Sequence, residues 1–208
     1  VFCFLQSSIN PDIIYGGGGI SLIILKRNHK KNTWDSDEIK GLDGEIRSIA
    51  ELDNDLWLTT FFNGVFRINR NSPENFFNAK TNEYEVTHFT TEHGFKGIKD
   101  IMVYKIDNEV IFTSPDGIFK YDTDQNYFFP YNKFGKIFGK GKLGAYRFIQ
   151  NNKGDIWQDS KGILYKQNNE TYFFDTIFSK RIPYAELSGI YPDKNLWYGG
   201  GSDGLLRY

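Results

Sequence analysis

The sequence predicts an all-β protein, a β-propeller built from four-stranded antiparallel blades. Three observations point to this class. The 208 residues include 19 Phe and 13 Tyr, and aromatic side chains favour strands. The chain has 21 Gly but only six Pro, which suits many short strands joined by tight turns. A pattern of strand, polar turn, strand, Gly turn and strand recurs along the chain, which indicates a repeat architecture.

Five segments share this pattern, and about five blades are therefore expected in the 208 residues. Within each segment the apolar residues have the two-residue period of a β-strand, as in GVFRIN at 64–69. The repeats lie near 4–24, 46–69, 98–122, 146–167 and 187–208. Their central residues are Ile14, Trp57, Ile111, Trp157 and Trp197, and their turn glycines are Gly19, Gly64, Gly117, Gly162 and Gly204.

Each repeat is read as two hairpins. The turns DND, NKGD and PDKN join first to second strands, and FFNG, SPDG, DSKG and GSDG join second to third strands. Gly in the latter turns supplies the positive φ that tight hairpins need. A fourth strand is predicted at 84–91, 126–132 and 171–178, whereas KRNHKK at 26–31 is interpreted as a loop. Four antiparallel strands per repeat define a propeller blade, and an open solenoid or a sandwich is the alternative.

The central Trp residues are interpreted as packing residues between adjacent blades. Ile14 and Ile111 stand at the same place in other repeats. A platform on which a ligand stacks would not survive replacement by Ile, whereas a packing position would.

The run IRSIAELDNDLWLTTFFNGVFRIN (46–69) and the turn FTTEHGFKGIKDI (89–101) resemble the two-component regulator propeller repeat. The resemblance extends over nearly the whole chain, with Ile in place of Trp at two centres and His93 where Asp is usual. It implies a non-catalytic, ligand-sensing region of a hybrid sensor kinase, periplasmic or extracellular in a membrane-anchored parent. It also implies glycan-derived ligands and more blades, so residues 1–208 are expected to form one propeller domain or a part of a larger one.

Composition and motifs argue against several other functions. The net charge of −1 and pI near 6.4 do not suggest a nucleic-acid partner. His88 and His93 are poorly spaced for a metal, and no helix pattern follows GGGG at 16–19, so neither metal nor cofactor is expected. The expected partners are a small-molecule or oligosaccharide ligand and neighbouring blades and domains of a longer chain, with a homodimer left open. A protein-interaction scaffold and a metal-dependent propeller lyase are the alternative functions.

The candidate ligand site is cationic. Aligning the repeats places Arg47, Lys99 and Arg147 where the innermost strands begin, at one mouth of the propeller. Arg binds carboxylates through two parallel hydrogen bonds, which suits acidic sugars. The alternative is a set of solvated charges at strand ends. Nearby loops carry carboxylates that could accept hydrogen bonds from ligand hydroxyls, namely Asp100, Asp116, Asp159 and Asp203.

Overall fold

The computed structural model describes the backbone of residues 2–135, 148–151, 154, 156–158, 162–167, 171–175, 187–193, 196–201 and 204–207. Side chains are described for 2–135, apart from Asn75 and Thr81, and for 148–151, 154 and 156. Arg147, Asp159 and Asp203 lie outside the described residues, and so do the side chains of Trp157 and Trp197.

The described chain consists of antiparallel sheets made from strands that are consecutive in sequence. Four sheets have four strands and one has three, which confirms the predicted all-β architecture of four-stranded blades. The first blade contains β1 (Cys3–Gln6), β2 (Ile13–Gly17), β3 (Ser21–Asn28) and β4 (Thr33–Lys40); the second β5 (Ile46–Leu52), β6 (Asp55–Thr60), β7 (Val65–Arg70) and β8 (Tyr84–Phe89); the third β9 (Met102–Ile106), β10 (Glu109–Ser114), β11 (Gly117–Asp122) and β12 (Tyr127–Pro130). The fourth contains β13 (Phe148–Gln150), β14 (Ile156–Gln158), β15 (Gly162–Gln167) and β16 (Thr171–Asp175), and the fifth β17 (Leu187–Asp193), β18 (Leu196–Gly201) and β19 (Gly204–Arg207). Three short 3-10 turns lie at Pro73–Asn75, Thr81–Glu83 and Thr91–His93.

Contacts divide the chain into two compact units, residues 1–114 with 119–129 and residues 115–118 with 130–208. In the first unit, one apolar core lies between the first and second blades and another between the second and third. In the second unit, Phe134 packs edge-on against Phe148 with ring centroids 5.6 Å apart. Within the residues described, no helix has the length and apolar character needed to cross a membrane.

Strand β6 shows how one strand serves two cores. Its side chains alternate, so Leu56 and Leu58 join the core with the first blade while Trp57 joins the core with the third. Trp57 is 4% exposed. The interpretation of Trp57 as a packing residue between blades is confirmed.

The alignment of Ile14 with Trp57 is wrong by one residue. In the second blade, the β6–β7 ladder ends at the pair Thr59–Val65, and Trp57 lies two residues before Thr59. In the first blade, the β2–β3 ladder ends at the pair Gly17–Leu22, and Tyr15 lies two residues before Gly17. Tyr15 therefore matches Trp57. Tyr15 is fully buried in the core facing the second blade, whereas Ile14 is only partly buried. Because side chains alternate along a strand, a shift of one residue moves the assignment to the opposite face. An aromatic residue therefore occupies the Trp position of the first blade too.

The prediction of a loop at 26–31 is also wrong in part. Strand β3 continues to Asn28, and the turn covers only residues 29–32 before the outer strand β4 begins. Sequence analysis missed β4 because its residues, TWDSDEIK, are exposed along most of their length and show no apolar alternation. Of these eight residues only Ile39 is buried.

A buried ion pair joins the first two blades. The Arg70 guanidinium lies 2.9 Å from a Glu51 carboxylate oxygen, with side chains 0% and 2% exposed. Ser7 Oγ and the Ser8 backbone N–H also donate to Glu51, at 2.9 and 2.6 Å. Arg70 donates further to Tyr15 Oη at 2.8 Å and to the carbonyls of residues 53 and 54. Every charge in this pair thus has several partners, as a buried ion pair requires.

Burial and hydrogen bonding act in opposite directions on this carboxylate. Desolvation alone would raise the pKa of Glu51, but hydrogen bonds from Arg70, Ser7 and Ser8 outweigh it and hold the pKa below its usual value. Burial raises the pKa of the neighbouring Tyr15 phenol to about 12. Both groups therefore keep one protonation state at neutral pH, with Glu51 ionised and Tyr15 protonated.

Replacing Gly64 with Val is expected to lower the free energy of unfolding by more than about 1 kcal/mol. Gly64 has φ +73°, and a Cβ there would clash with the Phe89 carbonyl oxygen of the adjacent strand. Gly19 is the matched control, because it has no positive φ and a Cβ would meet nothing within 4 Å. Urea denaturation of the two variants tests the difference. A Gly64 variant as stable as the Gly19 variant would refute the assigned role of this turn.

Candidate functional site

Arg47 occupies a β-bulge. Ile46 pairs with Thr60 and Ser48 with Thr59, which leaves Arg47 without a partner across the β5–β6 ladder. A bulge inserts one residue and redirects its side chain, and bulges are common beside functional sites. Arg47 therefore departs from the alternation of its strand, which explains how a cation can project at this position without disturbing the cores.

Arg47 and Lys99 meet around the same aromatic ring. The Arg47 guanidinium carbon lies 4.4 Å from the Phe2 ring centroid and 4.8 Å from that of Phe61. The Lys99 ammonium lies 5.5 Å from the Phe61 centroid and 5.2 Å from that of Phe62. These distances are in the range of cation–π attraction. We call Phe2, Arg47, Phe61, Phe62 and Lys99 the aromatic–cation cluster.

The two Phe residues of the cluster belong to a well-anchored turn between β6 and β7. Thr60 and Gly64 close the turn through a backbone hydrogen bond of 2.9 Å, and Thr60 Oγ1 accepts from the Asn63 N–H at 2.9 Å. The Phe61 N–H donates to the Glu45 carbonyl, and the Asp100 N–H donates to the Phe61 carbonyl. The backbone of the turn is thus held by both loops that join neighbouring blades, which places Phe61 and Phe62 at a defined position.

Much of the cluster faces solvent. Phe62 is 60% exposed and Phe2 is 49% exposed, which is high for large apolar side chains. Arg47 also bonds Glu45, although its Nε is buried without a hydrogen-bond partner. Asp100 precedes β9 in the neighbouring loop and contributes a negative charge. The cluster therefore combines exposed ring surface with two cations, and the carboxylates of Glu45 and Asp100 partly offset their positive charge.

The predicted site residues have different outcomes. Arg47 and Lys99 do come together at Phe61, although Lys99 lies in the loop before β9 and not in the strand as Arg47 does. Asp116 lies in the turn between β10 and β11, as expected from SPDG. Arg147, Asp159 and Asp203 fall outside the described residues, so their place in the site stays a prediction.

Sequence reasoning missed the aromatic half of this cluster. The signal was present in FFNG, where two successive Phe residues stand in a polar turn position. Adjacent residues in a turn cannot both point into one core, and an exposed aromatic there calls for an explanation. Phe2 gave no comparable signal, because VFCFL resembles an ordinary apolar strand.

The three histidines have structural partners. His29 Nε2 lies 2.9 Å from the Asp12 carboxylate, and His88 Nε2 lies 2.7 Å from the Asn63 carbonyl. The Thr90 N–H donates to His93 Nδ1 at 3.1 Å. Among the residues whose side chains are described, no group of three or more His, Cys, Asp or Glu is arranged to hold a metal ion.

The fold and the cluster together define a β-propeller that carries an aromatic, cationic patch at one end of its blades. No protein-family model and no curated protein matches the chain. The structure is similar to the extracellular domain of BT4673 from B. thetaiotaomicron, described as a proposed hybrid two-component system. That match has a TM-score of 0.64 and 14% identity, and it covers 100% of this chain and 26% of the other.

A second crystal structure of a BT4673 extracellular domain, described as a proposed one-component system, has a TM-score of 0.57 and 12% identity. This match covers 99% of this chain and 34% of that structure. The chain therefore spans about a quarter to a third of these structures. At such identities the likeness establishes the fold, and it agrees with the resemblance to two-component regulator propellers.

Proposed function

We propose that this chain is a non-catalytic, ligand-sensing propeller region of a two-component sensor, located outside the cytoplasm, and that its ligand derives from a glycan. The aromatic–cation cluster carries the proposal. The resemblance of the repeats and the likeness in fold to the BT4673 extracellular domains support the sensory role. The chain spans only part of those structures, so signal transmission would require other parts of the parent protein.

The chemistry of the cluster favours an acidic oligosaccharide. Sugar rings present apolar faces, and the exposed rings of Phe2 and Phe62 offer surface on which such faces can stack. Arg47 lies beside the Phe2 ring and Lys99 beside the Phe62 ring, so both cations would bind a carboxylate or sulfate group of a sugar stacked there. A neutral sugar would leave these charges without a ligand partner.

Replacing Arg47 and Lys99 together with Ala is expected to abolish binding of an acidic oligosaccharide, while changing the free energy of unfolding by less than about 1 kcal/mol. Both side chains are at the surface or only partly buried, so their loss leaves the cores intact. Calorimetry with a panel of acidic and neutral oligosaccharides gives the affinity. Because charge pairing at an exposed site is screened, the affinity of the unchanged chain is expected to fall as salt is raised.

The matched control replaces Lys30 and Lys31 with Ala, which removes the same charge from an exposed turn of the first blade. This variant is expected to bind as the unchanged chain does. Binding of neutral sugars alone, or equal binding by the Arg47/Lys99 double variant, would contradict the proposal.

A further inference from the structure

A cleft lies between the second and third blades, at the end opposite the aromatic–cation cluster. The β5–β6 turn with Asp53 forms one wall and the β9–β10 turn with Asn108 forms the other. The apolar floor includes Trp57, Phe112 and Tyr121, and the cleft has a volume of about 240 Å³. A cavity with an apolar floor and a few convergent polar groups is the usual form of a small-molecule site.

Two ion pairs lie at this cleft. Arg67 Nε is 2.9 Å from the Asp55 carboxylate, and its guanidinium carbon is 5.6 Å from the Trp57 ring centroid and 5.9 Å from that of Tyr121. Lys120 Nζ is 2.6 Å from the Glu109 carboxylate. Both cations are therefore engaged by carboxylates of the protein itself.

The lining also contains polar side chains that are not paired with another group of the protein. Within the described chain, the side chains of Asp53, Asn108 and Thr123 have no hydrogen-bond or ion-pair partner, and all three line the cleft. Asp53, Asp55 and Glu109 supply three negative charges, whereas Arg67 and Lys120 supply two positive ones. The Asp53 carboxylate is exposed, and it is the one of these three that is not paired with a cation of the cleft.

We propose that this cleft binds a small, hydroxylated primary ammonium compound, such as an amino sugar. The ammonium group pairs with the Asp53 carboxylate and supplies the positive charge that this carboxylate does not have beside it. Asn108 and Thr123 exchange hydrogen bonds with the hydroxyl groups, and the partly exposed ring of Tyr121 receives the apolar face of the sugar, while the buried rings of Trp57 and Phe112 support Tyr121 from below. The volume is below the range typical of drug-sized ligands, which limits the occupant to about one sugar ring.

This site differs from the aromatic–cation cluster in both place and charge. The cluster would select an anion, whereas the cleft has an excess of negative charge and would select a cation. The two sites can therefore be tested with different ligands and different variants, and neither result depends on the other.

The test is calorimetry of the chain with glucosamine, glucose and N-acetylglucosamine. Glucosamine is expected to bind roughly tenfold or more tightly than the two neutral sugars, because only it can form the charged hydrogen bond. Asp53→Asn is expected to abolish this preference. Asn tolerates the φ of +50° at this turn, so the variant removes the charge without straining the backbone.

The matched control is Asp43→Asn, which removes an exposed carboxylate that does not line the cleft. It is expected to keep the preference for glucosamine, as is the Arg47/Lys99 double variant. Absence of glucosamine binding, equal affinity for glucose, or an unchanged preference in Asp53→Asn would overturn the proposal.

Discussion

Replacing Glu51 with Ala is expected to lower the free energy of unfolding by about 3–5 kcal/mol, since it leaves the Arg70 guanidinium buried without its counter-charge. Arg70 is 0% exposed and packs over the rings of Tyr15 and Phe76, so water cannot reach it without opening the core between the first two blades. The loss would also release Ser7 and Ser8, which hold the first hairpin against the second blade through the same carboxylate. Urea denaturation followed by circular dichroism measures the effect.

Two further variants distinguish the loss of the ion pair from other effects of the substitution on stability. Replacing both Glu51 and Arg70 with Met removes both charges, and such exchanges of buried pairs by apolar residues are often close to neutral. The double variant is therefore expected to be more stable than Glu51→Ala. Glu109→Ala breaks a more exposed pair, with Lys120, and is expected to cost less than about 1 kcal/mol. If Glu51→Ala cost no more than Glu109→Ala, the buried pair would not stabilise the contact between blades.

The same pair predicts how stability depends on pH. The folded chain lowers the pKa of Glu51, so the stabilisation is fully present above the ordinary pKa of an unfolded Glu, about 4.3, and is lost as pH falls through the folded value. Glu51→Gln is expected to flatten this acid-side decline, because its side chain does not titrate. An equally steep decline in Glu51→Gln would show that other carboxylates govern acid unfolding.

The blades could be predicted from sequence because each rests on local chemistry. Alternating apolar residues, a polar turn and a Gly turn specify a hairpin without reference to distant residues, as in DLWLTTFFNGVFRIN at 55–69. The outer strand β4 escaped prediction for the converse reason. Its side chains contact solvent on both sides, so its residues carry no apolar pattern, and only pairing with β3 defines it.

The buried ion pair could not be predicted, because nothing local distinguishes Glu51 and Arg70 from solvated charges. In IRSIAEL and VFRINR they resemble the polar residues of half-exposed strands. Only the tertiary arrangement of two blades brings Ser7, which follows β1, together with Tyr15 of β2, Glu51 of β5 and Arg70 of β7. The bulge at Arg47 is only slightly easier to recognise, since its mark in the sequence is that Ile46 and Ile49 stand three residues apart and still pack against the same core.

Replacing Trp57 with Ala is expected to cost about 3–5 kcal/mol of the free energy of unfolding, the range for removing a large aromatic side chain from a core. The indole stacks on Phe89 at 5.7 Å between centroids, and it meets Phe112 and Tyr121 edge-on at 5.2 and 5.1 Å. Phe89 belongs to the second blade and the other two to the third, so the indole joins blades as well as filling space. A further edge contact to Phe128, at 6.3 Å, completes the aromatic core.

Trp34 provides a control of the same residue type, because it lies on the outer strand β4 and is 46% exposed. Trp34→Ala is expected to change the free energy of unfolding by about 0.5 kcal/mol or less, since a surface side chain leaves no cavity. Trp57→Phe should fall between the two, because Phe keeps one ring but not the contacts of the larger indole. If Trp57 were instead a platform for ligand stacking, its replacement would abolish binding and leave the unfolding transition near that of Trp34→Ala. Denaturation of the three variants therefore decides between a packing residue and a ligand platform, and the arrangement of rings around Trp57 predicts the former.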